Sequence, residues 1–303
     1  MNKYIEIKQE VLDTINNKKG VVALESTIIT HGMPYPENIK MAKKVEEIIR
    51  KNGAVPATIA IIDGIIKIGL TEEELLYLAN KTDVIKVSKR DFGYVIANKL
   101  TGATTVSGTM LASKMANINV FATGGIGGVH RGAETTFDIS RDLEELSEID
   151  VLVVCAGAKA ILDLELTTEY LETKGVEILG YKTKELPAFF TRESGISLNY
   201  EISSADEAAK IMKSKWELGI KGGILVANPI PEEHSIDSAK INKAINDALR
   251  EAKEHHILGK DVTPYLLKKV NERTEGKSLE ANLELVYNNA EVAAKIAVSY
   301  SKL

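Results

Sequence analysis

Two residues of the chain, Lys159 and Glu25, have side chains and surroundings that could support covalent and acid–base chemistry. Lys159 comes at the end of the apolar run VLVVCAGAK, and Glu25 directly follows four apolar residues in VVALEST. Partial burial favours the neutral amine of a lysine, which can attack a carbonyl carbon, and a buried carboxylate can transfer protons. Both residues also have a structural interpretation, because a lysine can extend its ammonium group to solvent and a glutamate can form a salt bridge.

Lys86 and a glycine-rich segment are candidates for binding a phosphate group. Lys86 lies in VIKVSKRD, where strand alternation puts it on one face with Ser88, although a solvated sheet edge would have the same pattern. The segment TGGIGGVHRGAETTFDIS contains five glycines, which let main-chain N–H groups approach an anion closely. It does not match the dinucleotide-binding fingerprint, because His130 takes the place of the third glycine, and the chain has no GxxxxGKS or GxxxxGKT loop.

Asp138, Ser140 and Asp142 form a third group of interest, at the start of a predicted helix. Ser140 can cap that helix, and the N–H groups of its first turn can hold a phosphate. The two aspartates offer hard oxygen ligands that suit Mg²⁺ or Mn²⁺, although aspartates also favour any helix N-terminus. His31 is followed by Gly32 and two prolines, and we favour a hydrogen-bonded loop histidine there over a catalytic one.

Short apolar runs alternate with helical patterns along most of the chain, and this alternation predicts an α/β fold. The predicted strands are 21–27, 57–62, 84–88, 119–125, 151–157, 176–181 and 223–229. The predicted helices include ENIKMAKKVEEIIRKNG, TEEELLYLANK, SADEAAKIMKSKWELG and the segment 236–258. We expect a mostly parallel sheet covered on both faces, a C-terminal helical layer and a single domain over residues 1–303. Ligands bind at the carboxyl ends of the strands in such folds.

Composition excludes several classes of function. The net charge of −5 argues against a general nucleic-acid-binding protein, which would need a basic face. The single cysteine, Cys155, excludes an internal disulfide and fits a reducing, cytoplasmic setting. The polar N-terminal segment lacks the apolar core of a secretion signal, and no apolar run reaches the roughly 20 residues of a membrane-spanning helix, so we expect no membrane association.

Long segments in the same order along the chain resemble the pseudouridine-5′-phosphate glycosidase family, also called indigoidine-synthase-A-like. They are VALESTIITHGMP, VPATIAII, IKVSKRD, GATTVSGTM, FATGGIGGVHRGAETTFDIS, VCAGAKAILDLELTTEYLET, LPAFFTRESG and GILVANPIP. The resemblance runs from about residue 20 to the C-terminus. It implies reversible cleavage of pseudouridine 5′-phosphate with water to give uracil and ribose 5-phosphate. It also implies a three-layer α/β/α sandwich, a homotrimer and a Mn²⁺ ion near the substrate, with Mg²⁺ or Co²⁺ as other possible metals.

The resemblance also assigns roles to individual residues. The catalytic lysine of the family falls on Lys159, its acid–base glutamate on Glu25 and its metal-ligand aspartate on Asp138. We expect the substrate to be bound by Lys86, Val106, His130, Ser140, Arg141, Asp142 and Asn282.

The carbon–carbon bond of pseudouridine explains why a lysine would be needed. No heteroatom lone pair is available for protonation where ribose C1′ meets uracil C5, so the usual pair of glycosidase carboxylates does not suffice. Opening the ribose ring exposes an electrophilic C1′ that an amine can attack to form a covalent adduct. Two other functions remain open from the sequence: a sugar kinase of ribokinase-like architecture, although the chain has no GxGD turn, and a non-catalytic nucleotide sensor.

Overall fold

The computed structural model describes residues 2–257 and 262–303, and eleven strands of the described chain form one sheet. The strands are β1 Ile5–Ile7, β2 Val21–Leu24, β3 Val55–Ile62, β4 Ile65–Ile68, β5 Ile85–Val87, β6 Gly102–Thr104, β7 Val120–Ala122, β8 Leu152–Cys155, β9 Glu177–Tyr181, β10 Tyr200–Ile202 and β11 Ile224–Ala227. Nine of them follow the order β1-β4-β3-β2-β7-β8-β11-β9-β10, and β6 joins β5 to β3. All these pairs are parallel except β3–β4 and β3–β6, which confirms the mostly parallel sheet.

Helices cover both faces of this sheet. They are α1 Gln9–Asn16, α2 Glu37–Lys51, α3 Glu72–Asn80, α4 Phe92–Ala97, α5 Val106–Met115, α6 Ala133–Thr136, α7 Arg141–Glu148, α8 Leu164–Thr173, α9 Ala205–Glu217, α10 Ser238–Glu254, α11 Val262–Arg273 and α12 Lys277–Tyr300. Helix α12 packs on β2, β7 and β8 with α2 and α9 beside it, whereas α5 packs on β2, β3 and β6 with α7 beside it. The three-layer arrangement and the C-terminal helices α10 to α12 therefore confirm the predicted fold class.

The direction in which successive strands are added to the sheet reverses between β2 and β7, which lie side by side at its centre. From β2 the chain crosses to β3 on one side, and from β7 it crosses to β8 on the other side. A crevice opens at the carboxyl ends of two strands where successive connections diverge in this way, and α/β proteins bind ligands in that crevice. Glu25 directly follows β2 and Thr123 directly follows β7, so both residues lie at this point of the fold.

All seven predicted strands are present, and four strands were missed. Strands β1, β6 and β10 have only three residues each, which is too short for a clear hydrophobic period. Strand β4 had a usable signal, because Asp63 and Gly64 separate two isoleucine pairs and both have positive φ angles, 49° and 78°. A two-residue Asp-Gly turn of this kind joins antiparallel strands.

The predicted helix starts agree with the structure where a cap was proposed. Thr71 and Glu74 form a reciprocal capping box at the start of α3, and the Ser140 hydroxyl caps α7 by accepting a hydrogen bond from the N–H of Asp142. Helix α10 begins two residues later than predicted and ends at Glu254, and residue 258 of the predicted segment lies outside the described residues. Within residues 2–257 and 262–303, no helix is both long and apolar enough to cross a membrane.

Candidate active site

A cleft at the carboxyl ends of the central strands brings together four of the predicted site residues. Glu25, Lys86, Lys159 and Asn282 all line this cleft, which encloses about 550 Å³ of space including its open mouth. They come from four separate elements: the end of β2, strand β5, the segment after β8, and helix α12. The cleft also exposes His31, which belongs to the helical turn Ile28–Gly32 after β2.

Glu25 is the buried carboxylate of this cleft, with 8% of its surface exposed. Burial raises the pKa of Glu25, because a carboxylate loses solvation in the protein interior, while the Lys159 ammonium, the Thr123 hydroxyl and Lys86 partly offset this effect. The Thr123 hydroxyl donates a hydrogen bond to Oε1 of Glu25. A carboxylate that takes up a proton above its ordinary range and sits between two lysines is suited to acid–base work.

Lys86 and Lys159 give the cleft two cationic side chains. Burial and the neighbouring Lys159 lower the pKa of Lys86, whereas Glu25 and Asp142 act in the opposite direction. The main chain fixes Lys159 firmly, because its N–H donates to the carbonyl of Ile126 at 3.0 Å and its carbonyl accepts from Leu162. The two lysines therefore approach the same anion or electrophile from β5 and from the β8 segment.

The small residues before Lys159 have a packing explanation. Gly157 has a φ of +85°, and a Cβ atom there would come within 2.3 Å of the carbonyl oxygen of Pro187. Ala156 is fully buried and its carbonyl accepts a hydrogen bond from the N–H of Phe189. The segment CAGAK can therefore lie flat between the glycine-rich loop and residues 187–190, which places Lys159 at the wall of the cleft.

Burial raises the pKa of the adjacent Cys155 thiol to about 12, so this thiol is a poor nucleophile.

Asp142 holds the glycine-rich loop against helix α5. Its Oδ1 accepts the N–H of Ser107 and its Oδ2 accepts the N–H of Gly127, each at 2.8 Å. A Cβ atom on residue 127 would come within 2.2 Å of the Ser140 hydroxyl and 2.7 Å of Asp142, so the close approach requires glycine. The Asp142 side chain is 6% exposed, and both of its oxygens are engaged by the main chain.

Three other predicted substrate ligands lie beside the cleft and do not line it. Arg141 binds Glu145 and Glu148, and Lys89 binds the same two glutamates, so the guanidinium joins helix α7 to the turn after β5. The Ser140 hydroxyl is used as the helix cap. The Val106 side chain is 1% exposed in the core, and Val106 therefore offers a ligand only its main-chain groups at the start of α5.

His130 and Asp138 form a pair on the glycine-rich loop. Nδ1 of His130 lies 3.9 Å from Oδ2 of Asp138, and the N–H of His130 donates to the main-chain carbonyl of Asp138. Burial lowers the pKa of His130 against the attraction of Asp138, and Lys159 and Lys86 act in the same direction as burial. The pair therefore lies within electrostatic range of the cleft lysines.

The donor set around Asp138 fits a hard divalent ion with a largely aqueous coordination shell. The carboxylate is about half exposed, with 54% of the side-chain surface accessible. Among the described residues, no group of three or more His, Cys, Asp or Glu side chains is placed to hold a metal ion. A single carboxylate with several waters is a common form of Mg²⁺ site, and Mn²⁺ accepts the same ligands.

A larger groove lies at the opposite, amino ends of β2 and β7. Lys18, Lys19, Trp216 and Tyr300 are among the residues that line it. It contains a single carboxylate, Glu217, on an exposed helix end. The smaller cleft is the better candidate active site, because it holds the buried carboxylate and both lysines at the sheet edge where α/β proteins bind ligands.

Comparison with known proteins identifies the family of the chain. A family model described as indigoidine synthase A like protein matches residues 10–299 of the chain. The chain belongs to the indigoidine synthase A-like family. One relative in this family, the pseudouridine-5′-phosphate glycosidase of Caldanaerobacter subterraneus subsp. tengcongensis, is 60% identical over 100% of this chain and 99% of its own length. The protein of the same name in Mycoplasmopsis agalactiae is 63% identical over 98% of this chain and 99% of its own length.

Two solved structures of similar proteins have the same fold. A prealnumycin C-glycosynthase in complex with ribulose 5-phosphate superposes with a TM-score of 0.93, at 37% identity over 100% of this chain and 98% of its own. An indigoidine synthase A-like protein of Thermotoga maritima superposes with a TM-score of 0.90, at 38% identity over 98% of this chain and 96% of its own. The indigoidine synthase A-like fold thus spans the whole described chain.

Sequence reasoning did not single out Thr123, Asn228 or Asn289 in this family member, although all three lie directly behind the cleft. Thr123 and Asn228 each directly follow a buried strand, which is the same signal that indicated Glu25. Asn289 had a weaker signal, as a polar residue on the apolar face of a long helix. Only the packing of α12 on the sheet shows what its amide contacts.

Proposed function

We propose that the chain catalyses reversible cleavage of pseudouridine 5′-phosphate with water, giving uracil and ribose 5-phosphate. The observation that carries this proposal is the convergence of Glu25, Lys86 and Lys159 in one cleft. Full-length relatives at 60% and 63% identity are named for this activity. A structural neighbour named as a C-glycosynthase was solved with a pentulose phosphate, which supports a sugar phosphate as the substrate class.

Lys159 is the nucleophile in the proposed mechanism. Ring opening breaks the C1′–O4′ bond: O4′ leaves with the electron pair and takes up a proton, while uracil N1 loses its proton and a C1′=C5 double bond forms. The Lys159 amine then adds to C1′ and loses a proton, and the electron pair of that double bond returns through the uracil ring to N1, which is protonated again. The C1′–C5 bond then breaks, its electron pair goes to uracil C5, and the nitrogen lone pair forms an imine with C1′. Water hydrolyses the imine, which releases ribose 5-phosphate and restores the amine. The fixed main chain around Lys159 supports this role, since attack at one carbon requires the amine to be held in place.

Glu25 supplies and removes the protons in the proposed mechanism. In the cleavage direction uracil C5 must gain a proton when it leaves, and in the synthesis direction it must lose one. The raised pKa of Glu25 favours the protonated carboxyl group, and the adjacent lysines favour the carboxylate that follows proton transfer. The same group can therefore act in both directions.

Lys86 is the main phosphate ligand in this proposal, together with main-chain N–H groups of the glycine-rich loop and of the first turns of α5 and α7. The N–H groups of Gly127, Ser107 and Asp142 are not among them, because they donate to the side chains of Asp142 and Ser140. The Arg141 guanidinium and the Asp142 carboxylate are engaged elsewhere, so these two residues contribute by fixing the loop and not through their side-chain charges. Asn282 and His130 can hydrogen-bond the sugar or the base. A phosphate bound away from C1′ positions that carbon for attack.

We also propose that Asp138 holds a divalent ion, Mn²⁺ before Mg²⁺ or Co²⁺, with waters as the other ligands. Such an ion supplies positive charge and an ordered water shell for the sugar hydroxyls when it is bound. Asp138 would supply one oxygen, and Nδ1 of His130 lies 3.9 Å from that carboxylate. The proposed assembly is a homotrimer, and light scattering of the purified protein measures that number of subunits directly.

An assay of uracil release tests the proposed activity. The change in ultraviolet absorbance as pseudouridine 5′-phosphate is consumed measures this release. A sugar kinase would instead consume ATP with a ribose-like substrate, and a nucleotide sensor would bind pseudouridine 5′-phosphate without releasing uracil. Either of those results would contradict the proposal.

Borohydride reduction in the presence of ribose 5-phosphate tests the role of Lys159. We expect a covalent adduct, located on Lys159 by peptide mass analysis. The matched variant is Lys86→Met, which removes the other lysine of the cleft and at saturating sugar phosphate keeps the adduct on Lys159. An adduct on Lys86, or none under turnover conditions, would contradict the nucleophile assignment.

A further inference from the structure

Asn289 of helix α12 is a fully buried amide directly behind the cleft. It is 0% exposed, and the surrounding face of α12 packs on β2, β7 and β8. Its Nδ2 donates to the main-chain carbonyl of Thr123 at 2.8 Å and lies 3.4 Å from the carbonyl of Gly124. Its Oδ1 accepts from Nδ2 of Asn228, at 3.0 Å. Since both main-chain partners are acceptors, the amide can have only this orientation.

These hydrogen bonds join the carboxyl ends of three neighbouring strands. Thr123 follows β7, Cys155 ends β8, and Asn228 follows β11. The N–H of Asn228 donates to the carbonyl of Cys155, and the N–H of Ala156 donates to the carbonyl of Gly124. The Asn289 amide thus lies beneath the junction from which the cleft wall is built.

Three catalytic groups connect to this junction. The hydroxyl of Thr123 donates to Glu25. The glycine-rich loop pairs with the segment that carries Lys159, through the Lys159 N–H and the Ile126 carbonyl. Asn282 lies seven residues before Asn289 on α12, two helical turns away on the same face, and lines the cleft.

We propose that Asn289 is a positioning residue, which aligns the Glu25 carboxylate through Thr123 and sets the place of Asn282 by fixing α12 against the strand ends. This inference rests on the proposed function. Among the described side chains of α12, Asn289 is the one that hydrogen-bonds the Thr123 carbonyl. A buried amide whose donors and acceptor are all used fixes one arrangement, because any displacement leaves polar groups unpaired.

The variant Asn289→Leu removes the amide while keeping a similar shape, and Asn288→Leu is the matched control. Asn288 lies on the same helix turn and donates to the carbonyl of Pro229 at 3.0 Å, with no contact to Thr123. We expect Asn289→Leu to lower kcat and kcat/KM by the same factor, about 100-fold, as for a displacement of about 1 Å between reacting groups. Asn288→Leu keeps the wild-type values.

The pH dependence of kcat/KM distinguishes a positioning role from a purely structural one, because a purely structural residue would leave it unchanged. Loss of the aligned Thr123 hydroxyl raises the pKa of Glu25 further, so the limb of the kcat/KM profile that reports Glu25 shifts to higher pH in Asn289→Leu and in Thr123→Val. The other charged groups that face Glu25 are Lys159, Lys86 and Asp142, with His31 across the cleft, and all of them remain in both variants. Carboxyl ¹³C NMR titration of Glu25 gives the same comparison without turnover.

Equal behaviour of Asn289→Leu and Asn288→Leu, or a lower kcat with an unmoved Glu25 titration, would overturn the inference. If Asn289→Leu does not fold, Asn228→Ala decides, because it removes the side-chain donor to Oδ1 of Asn289 and leaves that buried amide partly unpaired and less firmly fixed. A lower kcat with a shifted Glu25 titration supports the inference, and a wild-type profile overturns it. A wild-type enzyme that releases no uracil contradicts the proposed function, and the NMR titration still tests the link from Asn289 to Glu25.

Discussion

Replacement of Asp142 by alanine separates two interpretations of the segment 140–142, which the family resemblance assigns to the substrate. The carboxylate of Asp142 accepts the N–H of Ser107 and the N–H of Gly127, both at 2.8 Å, and is 6% exposed. Asp142→Ala leaves both N–H groups without an acceptor in the interior. We therefore expect a loss of folding stability, with catalysis reduced as a consequence of loop displacement.

The expected loss can be worked out from the two hydrogen bonds. A hydrogen bond to a charged group contributes about 1.5–3 kcal/mol, so the loss of two lowers the free energy of unfolding by roughly 3–6 kcal/mol. Urea titration followed by circular dichroism measures this difference as a shift in midpoint at constant slope. The matched control is Asp163→Ala, which removes an exposed N-cap whose Oδ1 accepts the N–H of Leu166, and should lower the same quantity by about 1 kcal/mol.

The two variants must therefore differ in stability if the carboxylate acts as a main-chain clamp. Equal losses of about 1 kcal/mol in Asp142→Ala and Asp163→Ala would refute the clamp. A stable Asp142→Ala protein with a raised KM for the sugar phosphate would instead favour direct substrate binding by this side chain.

Four further outcomes follow from the same geometry. The folded pKa of Glu25 lies above its unfolded value near 4.3, so the contribution of Glu25 to the free energy of unfolding falls as pH rises from about 4.3 through the folded pKa. Glu25→Gln should remove this fall, measured by urea titrations across pH, and should stop uracil release. An unchanged pH dependence of the free energy of unfolding would contradict the burial argument. Gly127→Ala should lower the unfolding temperature, because its Cβ meets Ser140 at 2.2–2.6 Å, whereas Gly132→Ala, with open space but a φ of +85°, should lower it less, through backbone strain alone. Asp138→Asn should weaken Mn²⁺ binding in calorimetry while leaving the unfolding temperature of the metal-free protein unchanged, and unaltered Mn²⁺ affinity would exclude Asp138 as a ligand. Lys86→Met should raise KM for pseudouridine 5′-phosphate more than it lowers kcat, and a selective loss of kcat would move Lys86 from binding to catalysis.

The central strands and the placement of the site followed from sequence patterns with a physical cause. Strands buried on both faces are apolar throughout, so VVAL and LVVC could be recognised without an alternating pattern. A polar residue just after such a strand lies near the carboxyl end of the sheet. Glu25 directly follows β2 and Lys159 lies four residues after β8, and both line the same cleft. The edge strands β1 and β10 escaped because three residues with alternating polarity resemble a loop or a helix end.

The direction of individual side chains could not be predicted from the sequence. Arg141 follows the helix cap Ser140, at a helix start of the kind that can bind phosphate. Its guanidinium nevertheless lies along α7 and binds Glu145 and Glu148, which follow it by about one and two helical turns. The partners of Asp142 come from residues 15 and 35 positions away, and the partners of Asn289 from residues more than 60 positions away. Contacts of that kind depend on how α5 and α12 dock on the sheet, which no local pattern encodes.

The two buried carboxylates near the lysines differ in the hydrogen bonds they receive, and this difference assigns their roles. Asp142 accepts two main-chain N–H groups, which hold the side chain away from the cleft. Glu25 accepts one hydroxyl hydrogen bond, from Thr123, and burial dominates its environment, so that its pKa is raised. Of the two, Glu25 is therefore the group that we propose as the proton donor to uracil C5, whereas Asp142 fixes the glycine-rich loop against helix α5.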